Sequence, residues 1–385
     1  MNNKSVSLIK ETAFTLTSVI PFALSMAVCA GMGTFAGAVV ACIAALVFPI
    51  VEQKKQMPKY LSFLIIAYAF NAFGAATVSL AIIICGFIIV LCCFEKKTSF
   101  PKLHPSISSA VILSVALTVT VLFTTDYFGI GASGNTVREI IASYLSLGFH
   151  PNWRGVLYGT IVLVIMITFP RKFKKNSKII NAAFYALLIS TVLNFFLNPP
   201  EMISAINEAG KLSLNEYKDN ILFPLISSFS NISYKNAFYC GVALFFSSYY
   251  ALSENENHSR KDFILCGASN CLLGFGSCIV LPYGIKKEKF TAGVLSAVIT
   301  AILVFSLQDF ISRIPVHTCA VILIVGAWQS IKWSEIKNTF SSAKHITLFA
   351  VSVIICMFFG ITYGYLISVA LSVIFTNKKI VSKDF

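Results

Sequence analysis

The chain has 385 residues, of which 57% are hydrophobic and only 12% charged. A soluble domain carries roughly 25% charged residues, so a water-exposed domain of any size is excluded. The net charge of +14 is spread over short clusters between apolar runs, which speaks against a single nucleic-acid-binding patch.

A spanning helix needs about 20 mainly apolar residues to cross a hydrocarbon core of roughly 30 Å. Residues 107–123, 155–169, 292–307 and 346–359 are apolar without alternation. Lipid admits only helices or a closed barrel, and a barrel would alternate, so the spans are predicted to be helices. Residues 13–30 and 36–50 form spans one and two, joined by the Gly-rich turn 31–33. The first run follows Lys4 and Lys10, as a signal peptide's would. A second apolar run comes at once, so the first is read as a retained helix. Span three opens at Pro58 and runs to about residue 70. Spans four to seven are 75–94, 105–123, 155–170 and 179–196, and the polar stretch 198–220 lies outside. Span eight is 237–253, span nine 263–273, and a broken tenth segment covers 277–285. Spans eleven to fourteen are 291–307, 316–331, 346–360 and 362–376. The amphipathic stretch 333–345 is expected on the inner surface, with 132–147 as its outer counterpart.

Most of the 30 Lys and Arg residues fall in alternate loops, including 54–59, 96–102, 171–178, 286–289, 332–344 and 378–383. The positive-inside rule puts these loops and both termini in the cytoplasm and makes the span count even. The 16 acidic residues fall in loops or at span ends, Glu254 being the nearest to the membrane interior. Coupling to protons through a buried carboxylate is therefore not expected. His317 falls at the outer end of span twelve and is expected at the interface. Of the 11 cysteines, Cys29, Cys42, Cys85, Cys240, Cys319 and Cys356 stand singly in apolar runs and no CxxC pair exists. They read as small packing residues, not ligands or disulfides. No Ser/His/Asp, HExxH or phosphate-loop pattern appears, so neither an enzyme nor a bound cofactor is expected.

Two segments depart from ordinary spans. Span three is short and opens on Pro58, and segment ten is interrupted by Gly274, Gly276, Pro282 and Gly284. They occupy the third and tenth places, which match in two halves of seven. Paired broken segments of this kind point to an inverted-repeat transporter with its site at the repeat interface. A half-helix N-terminus inside the membrane leaves N–H groups unpaired and a partial positive charge, so two of them facing each other hold an anion without a charged side chain. The plainer reading of Pro58 is a first-turn proline after a cytoplasmic loop.

The chain resembles the membrane domain of the sulfate permease (SulP) family of anion transporters over about residues 10–377. Ile20-Pro21-Phe22-Ala23-Leu24, with Ala30-Gly31 and Ala36-Gly37, resembles the family's first-helix pattern and Gly turn. Pro58 and the apolar run closed by Phe73-Gly74 resemble its third-helix motif. The run from Gly267-Ala268-Ser269-Asn270 to Gly274-Phe275-Gly276 resembles its "G-l-a-N-i-l-s-G-l-f-G" stretch. Ile314-Pro315 with Ala320 to Gly326, and Phe359-Gly360-Ile361-Thr362-Tyr363-Gly364, resemble its twelfth helix and last hairpin.

The resemblance implies an all-α membrane protein of about fourteen segments in a seven-plus-seven inverted repeat. Residues 1–103 and 236–310 would form a transport core, and 104–235 and 311–377 a gate, with a short cytoplasmic tail at 378–385. The core would move against the gate like an elevator. The implied substrate is a small inorganic anion of the sulfate, bicarbonate or chloride class, held near Phe22, Pro58, Lys59, Ser62, Ser247, Ser248 and the stretch Leu281, Pro282, Tyr283 and Gly284. The implied setting is the inner membrane of a bacterium, with a homodimer and a coupling ion as further expectations. The chain departs from the family's pattern in lacking a C-terminal STAS domain, in carrying Phe22 where Gln is usual, and in showing Ser247 where many members have a carboxylate. Its tenth segment is about six residues short. A nucleobase permease of the same architecture is disfavoured by the missing carboxylates. A degenerate, non-transporting membrane protein is the reading that the shortened tenth segment would favour.

Overall fold

A computed structural model describes residues 3–29, 34, 37–42, 59–94, 103–131, 134, 137–172, 182–197, 232–253, 260–274 and 290–381. Pro58, Glu254, the polar stretch 198–220 and the broken segment with Leu281, Pro282, Tyr283 and Gly284 lie outside the described residues. The described residues form helices joined by short turns, with no strand among them. They are α1 (Asn3–Cys29), α2 (Lys59–Phe94), α3 (Pro105–Phe128), α4 (Val137–Leu147), α5 (Trp153–Lys172), α6 (Ala182–Leu197) and α7 (Tyr234–Ser253). There follow α8 (Arg260–Gly274), α9 (Phe290–Ser306), α10 (Gln308–Ile311), α11 (Val316–Gln329), α12 (Trp333–Thr339), α13 (Ala343–Phe358) and α14 (Ile361–Val381).

Spans three and four share the element α2, which breaks at Gly74 with φ 80 and ψ 171. That conformation is open almost only to glycine. The described part of the first arm, 59–73, rises about 22 Å at 1.5 Å per residue. Its residues from Leu61 to Ala67 are all buried. An alanine at Gly74 would meet no atom within 4 Å, leaving backbone strain as its only cost. We expect Gly74→Ala to destabilise the protein by about 1–3 kcal/mol, read as a lower midpoint in thermal unfolding; an unchanged midpoint would show that the hairpin relaxes freely.

α3 is capped at both ends by its own sequence. Nδ1 of His104 accepts from the Ser106 N–H at 3.3 Å, Pro105 fills the first turn, and Gly129 closes the helix in the left-handed region at φ 66. The helix runs five residues beyond the expected span end at 123 and so takes in Asp126. α11 and α12 make a bent pair at 49°. The stretch 333–345 divides, since α12 ends at Thr339 and Ala343 already opens α13. On α12 Ile336 and Thr339 are buried while Lys337 and Asn338 are exposed.

The interior is arranged around α2, flanked by α7 and α8, and around α3, flanked by α11, α13 and α5, with α1 against α11, α9 and α6. Helices meet most closely where side chains are absent. A Cβ on Gly86 would come within 2.7 Å of the Cys271 backbone nitrogen, and one on Gly267 within 2.8 Å of the Gly86 carbonyl. α2 and α8 therefore touch backbone to backbone, the small-residue contact that membrane helices favour. Cys85, Cys240, Cys266, Cys319 and Cys356 are buried as small packing residues.

His317 corrects the sequence reading. It is fully buried, not interfacial, because Gly129 and Gly155 present no side chain where its ring lies. Its position at a helix end in the sequence could not reveal two glycines supplied by other helices.

Outward-facing positions carry Phe87 (59% exposed), Leu157 (60%) and Ile302 (59%). Large apolar residues spread over the outside of many helices suit lipid and not water. Ala72–Cys92 and Pro105–Phe128 are long and apolar enough to cross a membrane, and the bent pair α11–α12 makes a third.

Candidate functional site

The first arm of α2 brings Ser62 against Ser247 of α7. The two hydroxyl oxygens are 2.8 Å apart, with Ser62 and Ser247 both buried. Of two paired hydroxyls, one donates within the pair and the other keeps its own O–H to donate elsewhere. Neither α2 nor α7 carries a carboxylate, and between Leu61 and Phe94 α2 carries no charge. The pair is thus a buried polar spot on two helices that bring no carboxylate to it.

Ser248, the next residue of α7, is buried and turns to Cys85 on the second arm of α2. Cys85 also takes a contact from Asn270 Nδ2 of α8 at 3.8 Å. The polar file Ser62–Ser247, then Ser248–Cys85–Asn270, crosses both arms of α2, α7 and α8. Asn270 is fully buried, and its Oδ1 has no partner among the described residues. Phe22 on α1 is buried as well. Lys59 opens α2, but its side chain lies outside the described residues, as do Pro58 and the whole stretch from Leu281 to Gly284.

The sequence reading brought Ser62 and Ser247 to one place and missed Cys85 and Asn270. Asn270 had a signal, its place in the motif that begins at Gly267. Cys85 had none, because its partners come from two other helices. Among the described residues no group of three or more His, Cys, Asp or Glu side chains could hold a metal ion.

Toward the Gly74 end of the first arm lies a cavity of about 70 Å³. Its walls include Cys29 of α1, Ala67 and Tyr68 of α2, Thr118 of α3, Gly360 between α13 and α14, and Val137 at the start of α4.

No protein-family model and no curated sequence relative matches the chain. Solved structures do. A structure of SLC26A9 superposes with a TM-score of 0.71 at 13% identity, covering 97% of this chain and 66% of its own. The murine solute carrier 26 family member A9 anion transporter, in its inward-facing state, gives 0.70 at 13% identity, covering 97% and 68%. The transmembrane domain of a cyanobacterium bicarbonate transporter, BicA, gives 0.68 at 14% identity and covers 97% of both chains. This chain therefore spans just under two thirds of the SLC26A9 chain and nearly all of the BicA membrane domain. It has their all-α membrane fold and is an integral membrane protein.

Proposed function

We propose that the chain is a secondary transporter of small inorganic anions, of the sulfate, bicarbonate or chloride class. In this reading two inverted halves of seven segments make the molecule, and the anion sits between the N-terminus of α2 and the broken tenth segment. Phe22, Pro58, Lys59, Ser62, Ser247, Ser248 and Leu281 to Gly284 would surround it. Residues 1–103 and 236–310 would carry it past the gate of 104–235 and 311–377 in an elevator-like movement. The Lys-rich loops support both termini lying inside, and the inner membrane of a bacterium is the setting this reading takes. A dimer and a coupling ion belong to the same proposal.

One observation carries this reading: the buried Ser62–Ser247 hydroxyl pair, which joins two helices that have no carboxylate, in a fold shared with anion transporters. An interhelical hydrogen bond inside a membrane is worth about 0.6 kcal/mol on average. Were the pair merely structural, Ser62→Ala would leave uptake nearly intact. We expect labelled sulfate, bicarbonate or chloride uptake into proteoliposomes to be saturable, and to fall at least about tenfold in kcat/KM in Ser62→Ala and Ser247→Ala, a loss of about 1.4 kcal/mol or more. Pro58→Ala and Tyr283→Ala test the two half-helix ends in the same assay. Wild-type uptake of uracil alone would move the protein to the nucleobase class. No uptake of any of these under several ion gradients would sink the proposal.

A further inference from the structure

Tyr363 stands in the motif from Phe359 to Gly364, which the Ser62–Ser247 site leaves unused. It is the third residue of α14. Its phenol donates to Asn236 Oδ1, in the first turn of α7, at 3.0 Å. The rings of Tyr363 and Tyr239 pack beside this bond, 5.8 Å between centroids and 61° apart. α14 packs most heavily on α13 and touches α3, α7 and α2 less.

Both partners are held from behind. On the α14 side, Gly360 turns the chain at φ 78, and a Cβ on Gly364 would come within 2.9 Å of the Cys356 backbone nitrogen. α13 and α14 thus meet backbone to backbone, and Tyr363 rides on a closely joined hairpin. On the α7 side, Asn236 Nδ2 donates to Ser233 Oγ at 2.8 Å. The Ser233 N–H donates to Thr77 Oγ1 at 3.3 Å, and that hydroxyl donates to the Phe73 carbonyl at 3.0 Å. A relay therefore runs from the Gly74 break of α2, through α7, to α14, with donor and acceptor matched at each step. From Asn236 to Ser247 α7 makes three turns and rises about 16 Å, so one helix carries both this bond and a hydroxyl of the site. In the transport reading α7 travels with α2 while α14 stays with the gate. A displacement of a few Å parts a hydrogen bond, so this one holds in a single arrangement of the two. Tyr363 and Asn236 are half-buried, and water can satisfy both groups once they part, which keeps the cost of breaking low.

Resting on the transport reading above, we propose that Tyr363 and Asn236 form a latch between gate and core, made in the arrangement seen here and broken each time α7 moves past α14. Cys240, buried one turn beyond Asn236, lies within electrostatic reach of the Tyr363 phenol and serves as the reporter. The fully buried Cys85 is the internal reference. Full-length protein in lipid nanodiscs, open to reagent on both faces, is treated with a charged methanethiosulfonate, and modification of each cysteine is followed by mass spectrometry. Tyr363→Phe removes the hydroxyl and keeps the ring against Tyr239. It is expected to speed Cys240 labelling about threefold, the factor that a bond of about 0.6 kcal/mol between membrane helices sets. Cys85 should stay unreactive and the thermal midpoint within a few degrees of wild type. Asn236→Leu is expected to give at least that gain, and the double variant no more than Asn236→Leu alone. An unchanged Cys240 rate in Tyr363→Phe would overturn the latch. So would gains that multiply in the double variant, because two residues sharing one bond cannot lose it twice. Where the wild type takes up anion, kcat in Tyr363→Phe is expected to rise about threefold; a kcat at or below wild type would overturn the latch as a brake on the cycle. Labelling needs no transport, so coupled gains in a protein without uptake would count against the transport reading alone.

Discussion

Ser247→Asp is expected to abolish anion uptake at neutral pH and to restore part of it in acid. Ser247 is buried 2.8 Å from Ser62, so a carboxylate there would face any anion held at the start of α2. Two like charges about 4 Å apart cost about 4 kcal/mol at the effective dielectric typical of proteins, enough to weaken binding about a thousandfold. The dipole that would attract the substrate would hold the new carboxylate instead. Burial favours the neutral acid. As pH falls the aspartic acid takes up its proton, the repulsion vanishes and its O–H can donate to Ser62. Uptake by the variant should thus rise as pH falls, whereas Ser247→Asn, similar in shape and never charged, should show no such dependence. The measurement is uptake against pH in the two variants and the wild type. Wild-type rates in Ser247→Asp at neutral pH would mean that no anion passes this pair. A pH-independent loss in both variants would mean that volume, and not charge, decides.

The same comparison bears on coupling. α2 and α7, which frame the site, have no acidic side chain, so the pair offers hydroxyls where a proton-coupled carrier would place a carboxylate. This feature was legible in the sequence alone, because the absence of charge from long apolar runs needs no knowledge of packing. The end of the third segment was legible too: Phe73-Gly74 closes its apolar run, and the break in α2 falls at that glycine. What the sequence withheld depends on which helices become neighbours. Cys85 looked like any other cysteine in an apolar run until Ser248 and Asn270 arrived from α7 and α8. His317 looked interfacial until Gly129 and Gly155 made room for its ring. The amphipathic stretch 132–147 was visible as a pattern, but its contact with a cavity under Val137 was not. Periodicity tells which face of a helix is apolar; it does not tell whether lipid or another helix covers that face.

Gly86→Leu is expected to leave little folded protein. A Cβ at this position would lie 2.7 Å from both the backbone nitrogen and the Sγ of Cys271, with the Gly267 carbonyl closer still. Two of these obstacles are main chain, which no rotamer change relieves, so α2 and α8 must move apart. Overpacking a tight interior costs roughly 1–3 kcal/mol when side chains can adjust, and a cost above about 4 kcal/mol is expected when backbone is displaced along a helix pair. Gly86→Ala should fall between, with a lowered midpoint and a reduced yield. Phe87→Ala is the control, because the neighbouring side chain is 59% exposed toward lipid and its removal disturbs no helix contact. Purification yield and thermal unfolding in detergent give the readout. A normal midpoint for Gly86→Leu would show that α2 and α8 are not in backbone contact. The consequence reaches the site directly. Cys85 precedes Gly86 in the chain and holds Asn270 across the same interface, while Ser248 meets Cys85 from α7. Separating α2 from α8 therefore removes the support behind Ser247, so any residual folded Gly86→Ala protein should show a kcat/KM loss larger than its loss of folded fraction. Equal losses would confine the glycine contact to stability and leave Ser62 and Ser247 positioned by the first arm of α2 alone.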